Sequence, residues 1–240
     1  MIKLKIPILV LIASFLAAFT LPALAVTYNT GVSNGQYVKY DNFVGTGPGV
    51  EAFNDYDWLK LQVTRVSGKT VTLLSTSQYK NGTAIPGNGT VSVWNIETGT
   101  EDGVPSTQGP IIAANLNQGD AIPPTNTYKV NNTESRKYFG VTRTVNVLDA
   151  SISTPDYNTS VTYVYDKASG MLLESNTETT TQADTQSITT TVSYIIVETN
   201  IFSSSSSPSV PEFPIDAGAT IVVIITVIAT AFILLLKKRK

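Results

Sequence analysis

Few residues in this chain are able to do chemistry, and two types are missing altogether. The 240-residue sequence contains no cysteine and no histidine. Without cysteine there are no disulfides, thiolate nucleophiles or sulfur-ligated metals. Without histidine there is no Ser-His-Asp triad, no imidazole base and no histidine-ligated zinc or copper. Paired carboxylates are the catalytic constellation that the composition still permits: Asp55 with Asp57, Glu101 with Asp102, and Glu174 with Asp166. A glycoside hydrolase holds two such groups about 5 to 9.5 Å apart across a cleft. Asp55 and Asp57 would share one strand face, but a solvated turn at a strand start is the simpler account of them. Asn54-Asp55-Tyr56-Asp57 lacks the further acidic positions of a calcium loop, so no metal or other cofactor is expected. A Ser-Lys dyad needs no histidine, but serine and threonine are so abundant here that chance supplies one.

Arg143 is the most informative single residue. Val141, Arg143, Val145 and Val147 alternate along one strand and share a face. If that face is buried, the guanidinium needs a carboxylate partner, and Glu174 and Asp166 are the candidates. Three readings follow: a structural ion pair, a strand whose other face is the buried one, or an anchor for an anionic head group inside a curved sheet. Trp58, Trp94, Tyr163 and Tyr165 admit a similar choice between a sugar- or lipid-binding surface and cross-strand core packing.

The elements that position these residues repeat every two residues, not every 3.6. Asp57 to Val66 places Leu59, Leu61 and Val63 on one face and Lys60, Gln62 and Thr64 on the other. Ser67-Gly68-Lys69 reverses the chain into a strand from Val71 to Tyr79. Asn81-Gly82 predicts a type I′ turn, and Thr90 to Ile96 a further strand. Pro105 to Pro124 is the least regular stretch, with one helical turn expected to end at Gly119. Thr127–Val130 and Glu134–Phe139 suggest a hairpin around Asn131-Asn132. Val141–Asp149, Ser160–Asp166, Met171–Thr179 and Ile188–Thr199 complete the strands, with a tight reversal at residues 166–170. The expected fold is an all-β antiparallel meander in one domain, residues 26–201. A curved open sheet or half-barrel is the first choice, and a two-sheet sandwich the second.

The ends read differently. Residues 1–25 carry Lys3 and Lys5, an apolar run, and Ala23-Leu24-Ala25, the pattern of a secretory signal. Residues 202–214 form a Ser/Pro stalk, including the Ser203–Ser207 run. Residues 215–236 predict a membrane helix: Ala217 to Leu236 has no charge and is long enough to cross a hydrocarbon core of about 30 Å. The basic tail, residues 237–240, sets the orientation as body outside and C-terminus inside. The expected location is a single-pass cell-membrane protein with its body extracellular.

The sixteen Lys and Arg and eighteen Asp and Glu divide unevenly. Lys3, Lys5 and the tail take six of the cations, and Glu212 and Asp216 take two of the acids. Residues 26–210 therefore carry ten against sixteen, a net charge of −6. With no basic stripe, nucleic acid is not an expected partner. Four sequons, at Asn81, Asn88, Asn131 and Asn158, are candidate N-glycan acceptors at expected turns or strand edges.

Pro211-Glu212-Phe213-Pro214, followed by an apolar segment and a basic cluster, resembles the PEF-type sorting signal of archaeal surface proteins. That resemblance implies one of two fates: processing by an archaeosortase, or a plain anchor that is never processed. The body is similar to a family of uncharacterised exported archaeal proteins. The pieces that carry the likeness are Gly35-Gln36-Tyr37-Val38-Lys39-Tyr40, Val66-Ser67-Gly68-Lys69-Thr70-Val71-Thr72, Leu116-Asn117-Gln118-Gly119-Asp120, Tyr138-Phe139-Gly140-Val141-Thr142-Arg143, Tyr165-Asp166-Lys167-Ala168-Ser169-Gly170-Met171-Leu172-Leu173-Glu174 and Glu198-Thr199-Asn200. The hairpin from Tyr165 to Glu174 is also similar to one in the curved sheets of periplasmic lipoprotein carriers. The family implies a location and an architecture but no activity. The expectation is a non-enzymatic, membrane-anchored surface protein with an envelope-binding or structural role. The alternative is a carrier holding an apolar ligand on the concave face of a half-barrel, and a carboxylate-dependent polysaccharide hydrolase comes third.

Overall fold

The computed structural model describes residues 26–85, 88–106, 109–125, 127–183 and 186–202, all within one compact unit, Met1–Ser203. The expected signal, the stalk from residue 203, the PEFP motif, the membrane segment and the basic tail lie outside the described residues. Among the described residues no helix is long and apolar enough to cross a membrane.

Eleven strands form one antiparallel sheet: β1 (Tyr37–Thr46), β2 (Tyr56–Ser67), β3 (Thr70–Tyr79), β4 (Thr90–Asn95), β5 (Thr100–Glu101), β6 (Val104–Pro105), β7 (Asn132–Tyr138), β8 (Val141–Ser153), β9 (Tyr157–Asp166), β10 (Leu172–Ala183) and β11 (Gln186–Thr199). The order is β6-β5-β4-β3-β2-β1-β11-β10-β9-β8-β7. Two meanders, one from each half of the chain, are joined by β1 and β11. The all-β expectation holds. The sandwich does not form, because every strand belongs to the same hydrogen-bonded sheet. A 3-10 stretch, Glu51–Asp55, links β1 to β2.

The pairing register shows that the sheet curls. Val38 and Tyr40 of β1 face Leu61 and Leu59 of β2. Val71 of β3 faces Trp94 of β4, and Ser175 of β10 faces Tyr163 of β9. These residues share one face, and side chains from β4 and β9, six strands apart in the order, line the same hollow. The inner face carries the main core, including Val38, Tyr40, Val63, Val71, Leu73, Trp94, Leu148 and Tyr163.

One end of the curl is filled by the segment between β6 and β7. Its Ile111, Ile112, Leu116, Ile122 and Val130 are buried, at about 1.5–3 kcal/mol each. The segment has no ladder of its own, so its backbone is satisfied by neighbours. Leu172 N–H donates to Pro110 O at 2.9 Å, Ile112 N–H to Gly170 O at 2.9 Å, and Ala114 N–H to Asn29 O at 2.8 Å. Asn146 Nδ2 donates to Leu116 O at 2.9 Å. Close approach requires Gly170, since a Cβ there would sit 2.1 Å from Ile112 O.

Three local expectations are corrected. At Asn81-Gly82 only Gly82 takes positive φ, and Asn81 Oδ1 instead accepts from the Thr83 N–H and hydroxyl. That Asx geometry replaces the type I′ turn. No helical turn precedes Gly119: Asn115 sits at φ 60, which breaks a helix, and docking onto the sheet takes over the backbone groups. There is no hairpin at Asn131-Asn132. Asn132 starts β7, and Lys129 instead makes an isolated bridge to Ala121.

The C-terminal end of the body is stitched to the outer face. Ile201 is buried. The Phe202 ring lies 6.0 Å from Tyr138 and 6.2 Å from Phe139, with the Arg143 guanidinium 4.9 Å above it. Phe202, the residue after the expected boundary at 201, thus packs on the body.

Candidate functional site

The inner face leaves a cavity of about 450 Å³ beside the filled end. Leu59, Leu61, Leu73 and Leu172 form its apolar walls, with Tyr40, Trp94, Tyr163 and Tyr194 between them. Along the β3–β5 side the lining becomes polar at Ser75, Thr90, Ser92 and Glu101. Each residue reaches the cavity through the two-residue alternation of its strand, and the register brings these alternations into line. Leu59 faces Ser77 and Leu61 faces Ser75, while Leu73 faces Ser92 and Trp94 faces Glu101.

The aromatic polar groups are mostly satisfied within the fold. Tyr40 O–H donates to Leu172 O at 2.8 Å, Tyr165 O–H to Gly109 O at 3.0 Å, and Trp94 Nε1–H to Ser92 Oγ at 2.9 Å. Burial pushes the Tyr40 and Tyr165 phenols well above their ordinary range. Burial also raises Tyr163, to about 12, although a hydrogen bond with Thr177 opposes the shift. Tyr194 is raised by burial against a hydrogen bond with Ser175. All four stay neutral at ordinary pH and present ring faces and edges rather than charge. A cavity of this size, apolar at one side and polar at the other, suits a small amphiphile.

Arg143 does not reach this cavity. It lies on the outer face with Val145, opposite the face that carries Leu148 and Tyr163. Its Nε and Nη2 donate to Asp166 Oδ1 and Oδ2 at 2.8 and 2.9 Å, and Asp166 also accepts from the Ser169 N–H and hydroxyl. The guanidinium is committed to the ion pair, one of the three readings the sequence left open. Glu174, the other candidate partner, bonds Arg136 Nη1 at 2.7 Å and the Tyr138 hydroxyl. Burial works against the Arg136 charge, but the bonds to Glu134 and Glu174 outweigh it and raise its pKa.

The remaining sequence candidates scatter. Asp55 ends the 3-10 stretch and Asp57 lies in β2. Asp102 caps the Val93 N–H at 2.9 Å, while Glu101 lines the cavity. Asp166 and Glu174 are held in separate ion pairs. Among the described residues no group of three or more Asp or Glu could hold a metal. Trp94 and Tyr163 meet at the cavity. Tyr165 lies buried beneath the Gly109–Ala114 segment. Trp58 lies apart, its Nε1 bonded to Gln78 at 3.0 Å under Lys39. Asn81, Asn88, Asn131 and Asn158 are all exposed.

The sequence reading missed Tyr40, Tyr194 and the Gly109-Pro110 segment as cavity walls. The alternation of Val38 and Tyr40 signals the first. Nothing periodic signals the last, which is irregular backbone placed by docking. No known protein family matches the chain, and no curated protein matches it significantly.

Proposed function

We propose that this chain is a non-enzymatic, membrane-anchored surface protein whose β-rich body binds an amphiphilic small molecule on its concave face. One observation carries the reading: the cavity of about 450 Å³ that the body's own filling segment leaves open. The apolar part of the ligand lies against Leu59, Leu61, Leu73 and Leu172, and its polar end meets Ser92 and Glu101. Residues 1–25 direct export, and residues 215–236 hold the body at an archaeal cell surface behind the Ser/Pro stalk. The PEFP motif at Pro211–Pro214 is a processing site for an archaeosortase. These assignments rest on the sequence patterns alone.

Native mass spectrometry of residues 26–202, prepared without detergent, tests the binding role. The expected result is added mass that is lost on denaturation, together with uptake of an environment-sensitive naphthalene dye. A bare mass with no dye uptake would remove the binding role and leave a structural one.

A further inference from the structure

The outer face of the sheet carries a second hollow, of about 200 Å³, whose described lining has Tyr194 alone in common with the amphiphile cavity. Two rows of paired residues build it. Val164, Glu174 and Ile195 stand abreast on β9, β10 and β11. In the next row Thr162, Asn176 and Ser193 line the hollow from β9 to β11, with Asp149 of β8 abreast of them just outside it. Strands lie about 4.8 Å apart, so four abreast span about 14 Å. Val164 is buried and Ile195 half-buried, and together they give the hollow an apolar floor.

A β-bulge completes the rim. Asp41 pairs with Ile195 and Val44 with Ser193, so Asn42 and Phe43 together oppose Tyr194. Phe43 turns inward onto Phe53, Tyr56 and Tyr194 at 5.3 to 5.6 Å. Asn42 takes φ 53 and stands over the outer hollow. Bulges re-aim side chains in this way, and asparagine tolerates the left-handed conformation.

The polar groups at the hollow divide in two. Thr162 Oγ donates to Asp149 at 2.7 Å, and both Glu174 oxygens are taken by Arg136 and Tyr138. The Asn42 and Asn176 side-chain amides and the Ser193 hydroxyl make no hydrogen bond to another described residue, although the Asn42 backbone N–H donates to Asp41 Oδ1. Each amide offers two donors and an acceptor, and the hydroxyl offers both. Interleaved donors and acceptors above an apolar floor complement the hydroxyls and C–H face of a sugar ring. Asp149 and Glu174 disfavour an anion, and the nearby cation, Arg136, is consumed by Glu134 and Glu174.

We infer that this hollow is a saccharide site that takes one neutral sugar ring, held by Asn42, Asn176 and Ser193. It lies on the opposite face from the amphiphile cavity, so either site can fail without the other.

The test uses the full chain in lipid nanodiscs and saturation-transfer NMR. The probes are the methyl glycosides of glucose, galactose, mannose and N-acetylglucosamine. Transfer to at least one probe is expected, with a millimolar Kd that weakens tenfold or more in Asn176→Ala and in Asn42→Gly. Glycine keeps the left-handed backbone at position 42. Near-UV circular dichroism of the full chain, unchanged in both variants, reports that they are folded. No transfer to any of the four glycosides would overturn the proposal. Transfer that survives undiminished in both folded variants would also overturn it.

Discussion

Arg143 and Asp166 meet through two parallel hydrogen bonds, at 2.8 and 2.9 Å, on the outer face of β8 and β9. The carboxylate is fully buried, while the arginine side chain keeps 21% of its surface exposed. The partners are therefore unequal. Removing the arginine strands a buried charge, whereas removing the aspartate leaves a cation that can turn toward water.

Arg143→Met should therefore cost about 2 to 3 kcal/mol, softened by the two Ser169 donors that remain on Asp166. Urea unfolding of the isolated body measures this. Dye uptake by the folded variant should be unchanged, because the guanidinium faces away from the cavity. A loss of uptake at full stability would return Arg143 to a ligand-binding role.

Leu61→Trp should block the inner cavity. Leu61 is half-buried and points into open space beside Leu59 and Leu73. The larger ring has room, so the stability change should stay below about 1.5 kcal/mol. Dye affinity should fall at least tenfold in a fluorescence titration.

Gly170→Ala should release the filling segment. The position has φ +76, and an added Cβ would meet Ile112 O. The left-handed backbone alone costs an alanine about 1 to 2 kcal/mol, and the clash adds to it. Hydrogen exchange should rise first at the Ile112 and Leu172 amides, whose bonds cross this junction.

Stability should fall at alkaline pH. Tyr40 and Tyr165 are fully buried and have folded pKa values raised by burial. Their ordinary value is 10.0, so above that pH the unfolded chain releases protons that the folded chain retains. Folded stability is complete below about pH 10 and is lost as pH climbs toward the folded values, by about 1.4 kcal/mol per pH unit for each of these two tyrosines. Thermal melts from pH 7 to 12, read beside tyrosinate absorbance, should show both changes together. With no histidine or cysteine, few groups titrate between about pH 6 and 9.

The four sequons should accept glycans in an archaeal host. Among the described residues, the side chains of Asn81, Asn88 and Asn131 accept at Oδ1, from Thr83, Ser77 and Asp149 respectively, and Nδ2 bonds to none of them, leaving it for attachment. Intact-mass comparison with bacterially produced protein should show added hexose-sized increments. Equal masses would remove the glycoprotein assignment.

The strands were legible wherever one face was apolar and the other polar. Leu59, Leu61 and Val63 gave β2 its inner face, and Val71 and Leu73 did the same for β3. The long-range order was not legible, because alternation fixes a face but names no partner strand. Arg143 shows the same limit: its valine neighbours promised a shared face, but only the pairing of Val145 with Asp166 shows that this is the outer one. The segment from Gly109 to Val130 was opaque for another reason. Its apolar residues follow no period because its backbone is held by Asn29, Lys167 and Gly170 rather than by a ladder.

β11 ends the described chain, yet it sits in the interior of the sheet, flanked by β1 and β10. Tension applied through the residues after Phe202 must first dislodge that ring from Tyr138, Phe139 and Arg143. It would then pull β11 lengthwise, straining many cross-strand bonds at once in shear instead of peeling them singly from an edge. If the body is anchored as proposed, a tug along the chain would therefore leave the curl and its two hollows intact.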